Sequence, residues 1–481
     1  MTEVPTLDPE LFGGLDAHGV LRVVQAHQLL ESSGTCAHPI RLVGGRDVIE
    51  KATGLLLSST SGRSIEVACG NRRASRCAYC SNLYKFDAYN LVALGLRGGG
   101  RDVPASVAAH PRLFVTLTAP SFGAVHRGPG KSGRSVPCHP RRDGSGCFEH
   151  HAAGDPLIGT PIDPESYDYA GHVLFNALAA KLWSKTVSEV RRTLARLLGL
   201  SRRRCEALVR VNFAKVAEYQ ARGVVHFHGV ARLDGPDGAD SAPPASVTPE
   251  LLERAIRLAV ASVGLAVPES DALGAPVVGW GEQVDIRSIT SGDFDGSEEL
   301  TDTKVARYIA KYATKSAESA GVELPPLACR ACSGSGRTLL QVPGLPDALV
   351  PCRSCSGKGS TIDLDLWELP DHARRLVDTC WQLGAVPELA PLRLRQWAHM
   401  LGFGGHFATK SRAYSTTFGA LRQERADFTA RRDPETSALA ESPDVLVINH
   451  WSFGGREDAP RSLARVSKPV VEHLEGEPWT T

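Results

Sequence analysis

The period of the apolar positions changes along the chain, and each change marks an element. Leu21, Val24, Leu29 and Leu30 recur at helical spacing, which predicts an amphipathic helix within residues 11 to 35. Asn82 to Leu96 is again helical in pattern and runs into Gly98-Gly99-Gly100, a stop signal. Leu113 to Thr118 alternates apolar residues with threonine and halts at Pro120, which predicts a strand with Thr116 and Thr118 on one face. Residues 121–165 lose all periodicity and are rich in glycine, proline and arginine, as expected of an inserted loop. From Tyr167 to Leu198 the helical period returns through Val173-Leu174, Leu178, Leu182-Trp183 and Val187. Leu208 to Ala217 and Val224 to Val230 read as two strands, and the polar stretch ending in Gly223 suits a hairpin turn between them. A linker-like loop (234–248), a helix from Pro249 to Val263, a strand within 279–289 and a helix over Val305 to Lys315 follow, the last led by Thr301-Asp302 as its N-cap region. Leu376-Val377 with Trp381, then Leu392, Leu394 and Trp397, predict further helix. From Asp433 the chain is rich in proline, glutamate and serine, apart from Val445 to Ile448, and reads as partly disordered.

This succession predicts an α+β chain, and its length calls for more than one domain. The expected divisions are a helical, cysteine-bearing N-terminal region (1–105), a central domain (106–318) carrying the inserted loop, a paired-cysteine module (319–362), a helical basic region (363–432) and a tail (433–481).

Composition alters the picture in three places. Charged residues make up 22% and the net charge is +1, so total charge neither demands nor excludes nucleic acid. Local charge says more: Lys181, Lys185, Arg191, Arg192, Arg196, Arg202, Arg203, Arg204, Arg210, Lys215 and Arg222 crowd one region with few acids, a field suited to a polyanion unless it is simply a solvated helix face. No apolar run has transmembrane length and the first residues lack a signal peptide's pattern, so a cytoplasmic protein without a membrane partner is expected. In that compartment 12 cysteines point to metal rather than disulfides.

The cysteines fall into sets. Cys77-x-x-Cys80 can chelate zinc, with Cys69 and Cys36 completing four thiolates. Cys138, Cys147, His150 and His151 suggest a zinc-stabilised insertion within 121–165. Cys329-x-x-Cys332 and Cys352-x-x-Cys355 are the strongest zinc signal, since glycines after each pair let the backbone turn around the sulfurs. Each of these two units resembles, locally, the Cys-x-x-Cys-x-Gly-x-Gly units of the DnaJ chaperone zinc domain. Four thiolates leave no open ligand position, so a structural Zn²⁺ is expected, with Arg330, Arg337, Arg353 and Lys358 available to DNA or a partner.

Two stretches carry candidate chemistry. In Val225-His226-Phe227-His228-Gly229, alternation puts both histidines on one strand face, where they can converge on one divalent ion. A turn near Arg222 sets Glu218 across from His226 as a third ligand, and Asp285 is its rival. In Tyr308-x-x-Lys311-Tyr312-x-x-Lys315, two phenols and two ammonium groups lie at i,i+4 on a helix. Phenols are weak nucleophiles unless a cation or a metal assists them; a divalent ion can polarise a phosphodiester and lysine can steady the developing charge.

A threonine-bearing strand, then His-hydrophobe-His, then Tyr-x-x-Lys-Tyr-x-x-Lys resembles the three-motif order of the HUH endonucleases. The likeness is strongest to replication initiators of actinomycete rolling-circle plasmids and integrative elements. Cys69 to Ser75 and Phe403 to Arg412 also look like that family, and the resemblance spans roughly residues 36 to 425. It implies an HUH nuclease domain with an RRM-like antiparallel sheet, metal-dependent nicking of one DNA strand, a covalent 5′-phosphotyrosine and a free 3′-hydroxyl that primes synthesis. It implies His226 and His228 as ligands of Mg²⁺ or Mn²⁺, with Glu218 ahead of Asp285 for the third place. Tyr312 takes the nucleophile's role and Tyr308 that of the residue that helps close the cycle, with Lys311 and Lys315 beside them. Origin DNA is then the partner, with Arg202, Arg203, Arg204, Lys410 and Arg412 as candidate contacts and a host helicase and polymerase recruited. The alternatives are a two-tyrosine HUH transposase and a non-catalytic zinc-containing DNA-binding regulator.

Overall fold

The structure is a computed structural model that describes residues 34–130, 136–144, 146–291, 300–341, 343, 346–432 and 444–456. The helix expected within 11–35 and the end of the tail lie outside the described residues, apart from Gly34 and Thr35. In chain order the main elements are β1 (Ile40–Gly44), β2 (Arg46–Glu50), β3 (Leu56–Ser59), β4 (Arg63–Val67), α1 (Ala78–Arg97), β5 (Arg112–Leu117), α2 (Tyr169–Leu197), α3 (Arg202–Glu206), β6 (Arg210–Tyr219) and β7 (Val225–Asp234). They continue with α4 (Pro249–Ser262), β8 (Gly264–Ala266), β9 (Val277–Gly279), β10 (Val284–Ser288), α5 (Asp302–Ala313), β11 (Arg337–Leu340), β12 (Ala348–Pro351), α6 (Asp371–Leu383), β13 (Ala408–Lys410), α7 (Phe418–Arg432), β14 (Val445–Asn449) and β15 (Ser452–Arg456). The architecture is α+β with antiparallel sheets. No described helix is long and apolar enough to cross a membrane.

The chain divides into two compact units, one from the residues up to Leu91 with those from Thr416 onward, the other from Val92–Ser415. In the first, two three-stranded sheets, β15-β1-β4 and β14-β2-β3, pair strands within residues 40–67 with strands within residues 445–456. Val445 pairs with Glu50 and Ile40 with Arg456. The apolar run Val445 to Ile448 is thus an edge strand, and β15 extends strand structure beyond it. The Asp87 carboxylate takes both guanidinium nitrogens of Arg425 within this unit.

The second unit is organised by a five-stranded sheet in the order β10-β5-β7-β6-β13, antiparallel throughout. The short strand β13 pairs along β6 inside a stretch whose sequence pattern reads as helical. Three residues are too few for a period to register, so only the pairing reveals it. One face of the sheet presents Leu113, Val115, Leu117, Phe227 and Leu233 to α2 and α4, forming the main core with Phe175, Leu182 and Trp183. Asp168 caps α2 by accepting from the Gly171 N–H, and the helix ends after Leu197. Gly229 makes room for this packing: a Cβ there would lie 3.0 Å from the Trp183 ring and 3.3 Å from the Ala214 oxygen. Lys215 also points to this side. It is buried, donates to the His406 oxygen at 3.0 Å and lies 4.1 Å from the centre of the Phe227 ring. Burial lowers its pKa to about 7, so Lys215 is not part of an exposed basic field, as its sequence neighbours suggest.

The opposite face holds a buried charged network at one end. Arg232 and Asp234 are fully buried, paired through two contacts of 2.8 Å. Asp234 also engages His110 Nδ1 at 2.8 Å and accepts from Asn212 at 2.6 Å. The Arg232 guanidinium stacks over Tyr414, 5.1 Å from the ring centre. Removing the anion leaves a buried guanidinium unpaired, so Asp234→Ala is expected to cost about 3–5 kcal/mol in chemical denaturation. A loss under about 1 kcal/mol would mean that water compensates the cation.

Candidate active site

The site lies at the other end of that same face. The β6–β7 hairpin turns at Gln220–Val224, where the Gln220 N–H donates to the Val224 oxygen at 2.9 Å and Gly223 takes φ +84°. This turn sets the register, so Glu218 sits opposite His226 and Val216 opposite His228. Thr116 on β5 sits opposite His228 from the other side. Cross-strand partners share a face, which brings Thr116, Glu218, His226 and His228 onto one surface.

Three donor atoms converge there. Glu218 Oε2 lies 3.0 Å from His226 Nε2 and 3.0 Å from His228 Nε2, and the two nitrogens are 3.2 Å apart. Such a group can hold a metal ion. Thr116 Oγ1 lies 3.0 Å from His228 Nδ1, so an Nδ1–H donated to it leaves the Nε2 lone pair facing the other two donors. Burial alone would raise the Glu218 carboxyl, but its hydrogen bonds with the two imidazoles outweigh that and bring it down to about 2. Burial also pushes His228 below its ordinary value. The first shift favours an ionised carboxylate at Glu218, and the second favours a neutral imidazole at His228. Asp285 pairs with Thr116 across β10 and β5, so it shares the face but stands a strand further away, where Arg287 Nε contacts it at 3.2 Å.

The helix α5 delivers both tyrosines. Thr301 caps it by accepting from the Lys304 N–H. Tyr308 places its hydroxyl 3.2 Å from His228 Nε2, and its ring stands edge-on to His228 at 4.8 Å and to Phe114 at 5.7 Å. Tyr312 stacks on His228 at 5.7 Å, with the two tyrosine rings 4.6 Å apart. Lys315 Nζ lies 4.4 Å from the Tyr312 ring centre and 3.7 Å from Glu218 Oε1, whereas Lys311 Nζ is 5.7 Å from that ring. Burial raises both phenols, and the nearby Glu218 charge raises Tyr312 further. At neutral pH both are protonated, so either needs cationic help to become an oxyanion nucleophile.

The family model described as "Replication initiator protein, pSAM2" matches residues 22–469. The chain belongs to the RepSA family of replication initiators. A replication initiator protein of Streptomyces ambofaciens is 41% identical over 470 residues, covering 94% of this chain and 91% of that protein. No solved structure matches the chain.

In this initiator, two further groups are made of cysteine alone. Cys36, Cys69, Cys77 and Cys80 meet in the first unit, with Sγ separations of 3.6–3.8 Å. Cys329, Cys332, Cys352 and Cys355 meet in the second, with 3.9 Å between Cys329 and Cys352 and 3.7 Å between Cys332 and Cys355. All twelve cysteines are free of disulfides. Four sulfurs around zinc at about 2.3 Å stand about 3.8 Å apart, so both groups can bind it. The Gly336 and Gly359 N–H groups donate to Cys332 and Cys355 Sγ, as the knuckle pattern in the sequence requires. Arg395 ties the second group to the helical region, donating to the Gly334 oxygen at 2.8 Å. The third expected set changes composition: Cys138, Cys147 and His151 converge, but the fourth donor is His126. His150 is exposed, because adjacent residues in extended chain face opposite ways.

The candidate DNA contacts are not gathered around the carboxylate–histidine group. Arg202, Arg203 and Arg204 lie on the exposed turn α3, before the start of β6, and Arg202 pairs with Glu206 at 2.7 Å. Glu218 lies eight residue steps along the strand from Arg210, about 27 Å of extended chain. Lys410 donates to the oxygens of Ser411, Arg412 and Ser415 at 2.9–3.2 Å, which commits it to its own loop, while Arg412 is exposed. The residue that sequence reasoning left without a role is Thr116, since its partner is 112 residues away.

Proposed function

We propose that this initiator nicks one strand of origin DNA by tyrosine attack and later rejoins it, as the HUH rolling-circle initiators do. One observation carries the reading: Glu218, His226 and His228 converge, and His228 brings the group to the tyrosines, with its Nε2 3.2 Å from the Tyr308 hydroxyl and its ring stacked on Tyr312. The donor set suits a divalent ion. Separations of 3.0–3.2 Å match neighbouring ligands of an octahedral ion with bonds of about 2.1 Å, and the mixed carboxylate–imidazole chemistry suits Mg²⁺ or Mn²⁺ better than a thiolate cage would. When bound, such an ion supplies Lewis-acid polarisation of the scissile phosphate.

The chain's own residues do the rest. Thr116 orients His228, and Glu218 holds His226 and His228 together. The Tyr312 oxygen attacks phosphorus, a Tyr–O–P bond forms and the P–O3′ bond breaks. The phenolic proton is given up and the departing 3′-oxygen ends as a hydroxyl. One phosphodiester replaces another, so no external energy source is needed. Lys315, beside the Tyr312 ring, offsets the negative charge of the phenolate, and Lys311 adds a weaker contribution from further away. Tyr308 supplies a second phenol for the closing transfer. The free 3′-hydroxyl is a primer, so a host helicase and polymerase are the partners this chemistry calls for. Arg202, Arg203, Arg204 and Arg412 remain the exposed cations for flanking duplex, and Zn²⁺ in the two four-cysteine groups serves structure.

The test is capture of the intermediate. The full chain is incubated with a labelled single-stranded oligonucleotide library and Mn²⁺, and a denaturing gel followed by peptide mapping is expected to find DNA attached to Tyr312. Sequence-specific binding with no adduct under either ion would favour the non-catalytic regulator instead.

A further inference from the structure

We propose that His126, Cys138, Cys147 and His151 bind a zinc ion of their own, which fastens the chain between β5 and α2 against the β6–β7 turn. The donor atoms all face one point. His126 Nδ1 lies 3.0 Å from His151 Nε2 and 3.8 Å from Cys138 Sγ, and Cys147 Sγ lies 3.6 Å from His151 Nε2. Tetrahedral zinc with bonds of about 2.3 Å to sulfur and about 2.0 Å to nitrogen separates its ligands by about 3.3–3.8 Å. The contacts fall close to that range.

The surroundings are those of a built site. Cys138 is fully buried, and its sulfur accepts from the Arg127 N–H at 3.2 Å and lies 3.5 Å from His139 Nδ1. His151 is buried, and its Nδ1 is 2.7 Å from Asp155 Oδ2. That carboxylate–histidine pair leaves Nε2 free to take metal and orients the ring. Asp155 is itself held by the Leu157 N–H at 2.8 Å. The two cysteines are aligned by backbone bonds from Cys138 to Glu149 and from His139 to Cys147. Gly146 permits that approach, since a Cβ there would be 1.9 Å from the His139 oxygen.

The site reaches the hairpin through its own backbone. His126 exchanges hydrogen bonds with Thr160 and Gly159, each at 2.8 Å. Gly159, at φ +91°, lies so close to the β6–β7 turn that a Cβ would be 2.5 Å from the Ala221 carbonyl carbon. On the other side, Arg222 of the turn lies 5.8 Å from the centre of the Phe122 ring and donates to the Pro120 oxygen. A metal at this site would therefore brace the turn that sets the Glu218–His226 register.

Zinc is counted on the full chain by elemental analysis, after EDTA dialysis has cleared loosely held ions. Cys147→Ser and His126→Ala are each expected to carry one zinc ion per chain fewer than wild type, and His150→Ala the same number. X-ray absorption at the zinc edge should detect imidazole ligands in wild type and lose them in His126→Ala. Limited proteolysis within residues 121–165 is expected to be at least tenfold faster in both ligand variants. Unchanged zinc content in Cys147→Ser and His126→Ala, or an all-sulfur zinc spectrum in wild type, overturns the proposal. Should Cys147→Ser fail to fold, the half-buried His126→Ala carries the test through its spectrum and zinc count.

Discussion

Tyr312→Phe is expected to abolish the covalent protein–DNA adduct, by about a thousandfold or more in single-turnover rate. The variant removes one oxygen and keeps the ring that stacks on His228 and lies under Lys315, so the sheet face and helix α5 keep their packing. Oligonucleotide binding should stay within about twofold of wild type, since the lost atom acts only as the attacking group. Tyr308→Phe in the same assay serves as the contrast. It should still form the first adduct, because the proposal gives Tyr308 the later transfer. The geometry makes this a sharp comparison. It is the Tyr308 hydroxyl that lies 3.2 Å from His228 Nε2, while Tyr312 has the closer lysine. An adduct that survives in Tyr312→Phe and disappears in Tyr308→Phe would exchange the two roles.

His226→Ala is expected to remove Mg²⁺- and Mn²⁺-supported cleavage, again by about a thousandfold, while sparing DNA binding and the fold. Of the two histidines it is the better probe. His228 is held by Thr116, stacked on Phe114 and Tyr312 and more deeply buried, so its loss would confound packing with ligation. His226 keeps 14% of its side chain exposed, and its Nδ1 has no hydrogen-bond partner among the described residues. Truncation therefore deletes one donor to the ion and little else. The checks are cleavage rate against metal concentration, anisotropy with a nick-site oligonucleotide and thermal unfolding. Full activity at low metal would remove His226 from the ligand set. Lost binding together with a lowered unfolding temperature would assign it to structure instead.

Several of these features are legible in the chain because they depend on local periods. Alternation along Val225 to Gly229 is enough to put His226 and His228 on one face, and the helical spacing from Val305 to Lys315 is enough to align Tyr308 with Tyr312. The Gly223 turn is a short-range signal too, and a hairpin's register follows from its turn, so Glu218 opposite His226 is a local consequence. The paired cysteines of 329–355 carry their own glycines, so their grouping is a short-range signal.

Features that depend on partners far away are not legible. The local turn puts Glu218 ahead in sequence but leaves Asp285 as a rival carboxylate. Strand order separates them, since β6 lies directly beside β7 whereas β5 stands between β7 and β10. Lys215 reads as one of a basic run, but the odd positions of β6 face the helices, which buries it against Phe227. His150 and His151 are interchangeable as letters, and pairing of the chain at Val125 and His126 with Gly159 to Pro161 accompanies the meeting of His126, rather than His150, with the cysteines. The sequence by itself determined the chemical inventory: two histidines on a strand, two tyrosines on a helix, cysteines in chelating pairs and an α+β succession. Tertiary structure decided which members of that inventory meet. Period and turn chemistry act over a few residues, whereas the order of strands in a sheet, and the helix laid across it, follow from burying one continuous core.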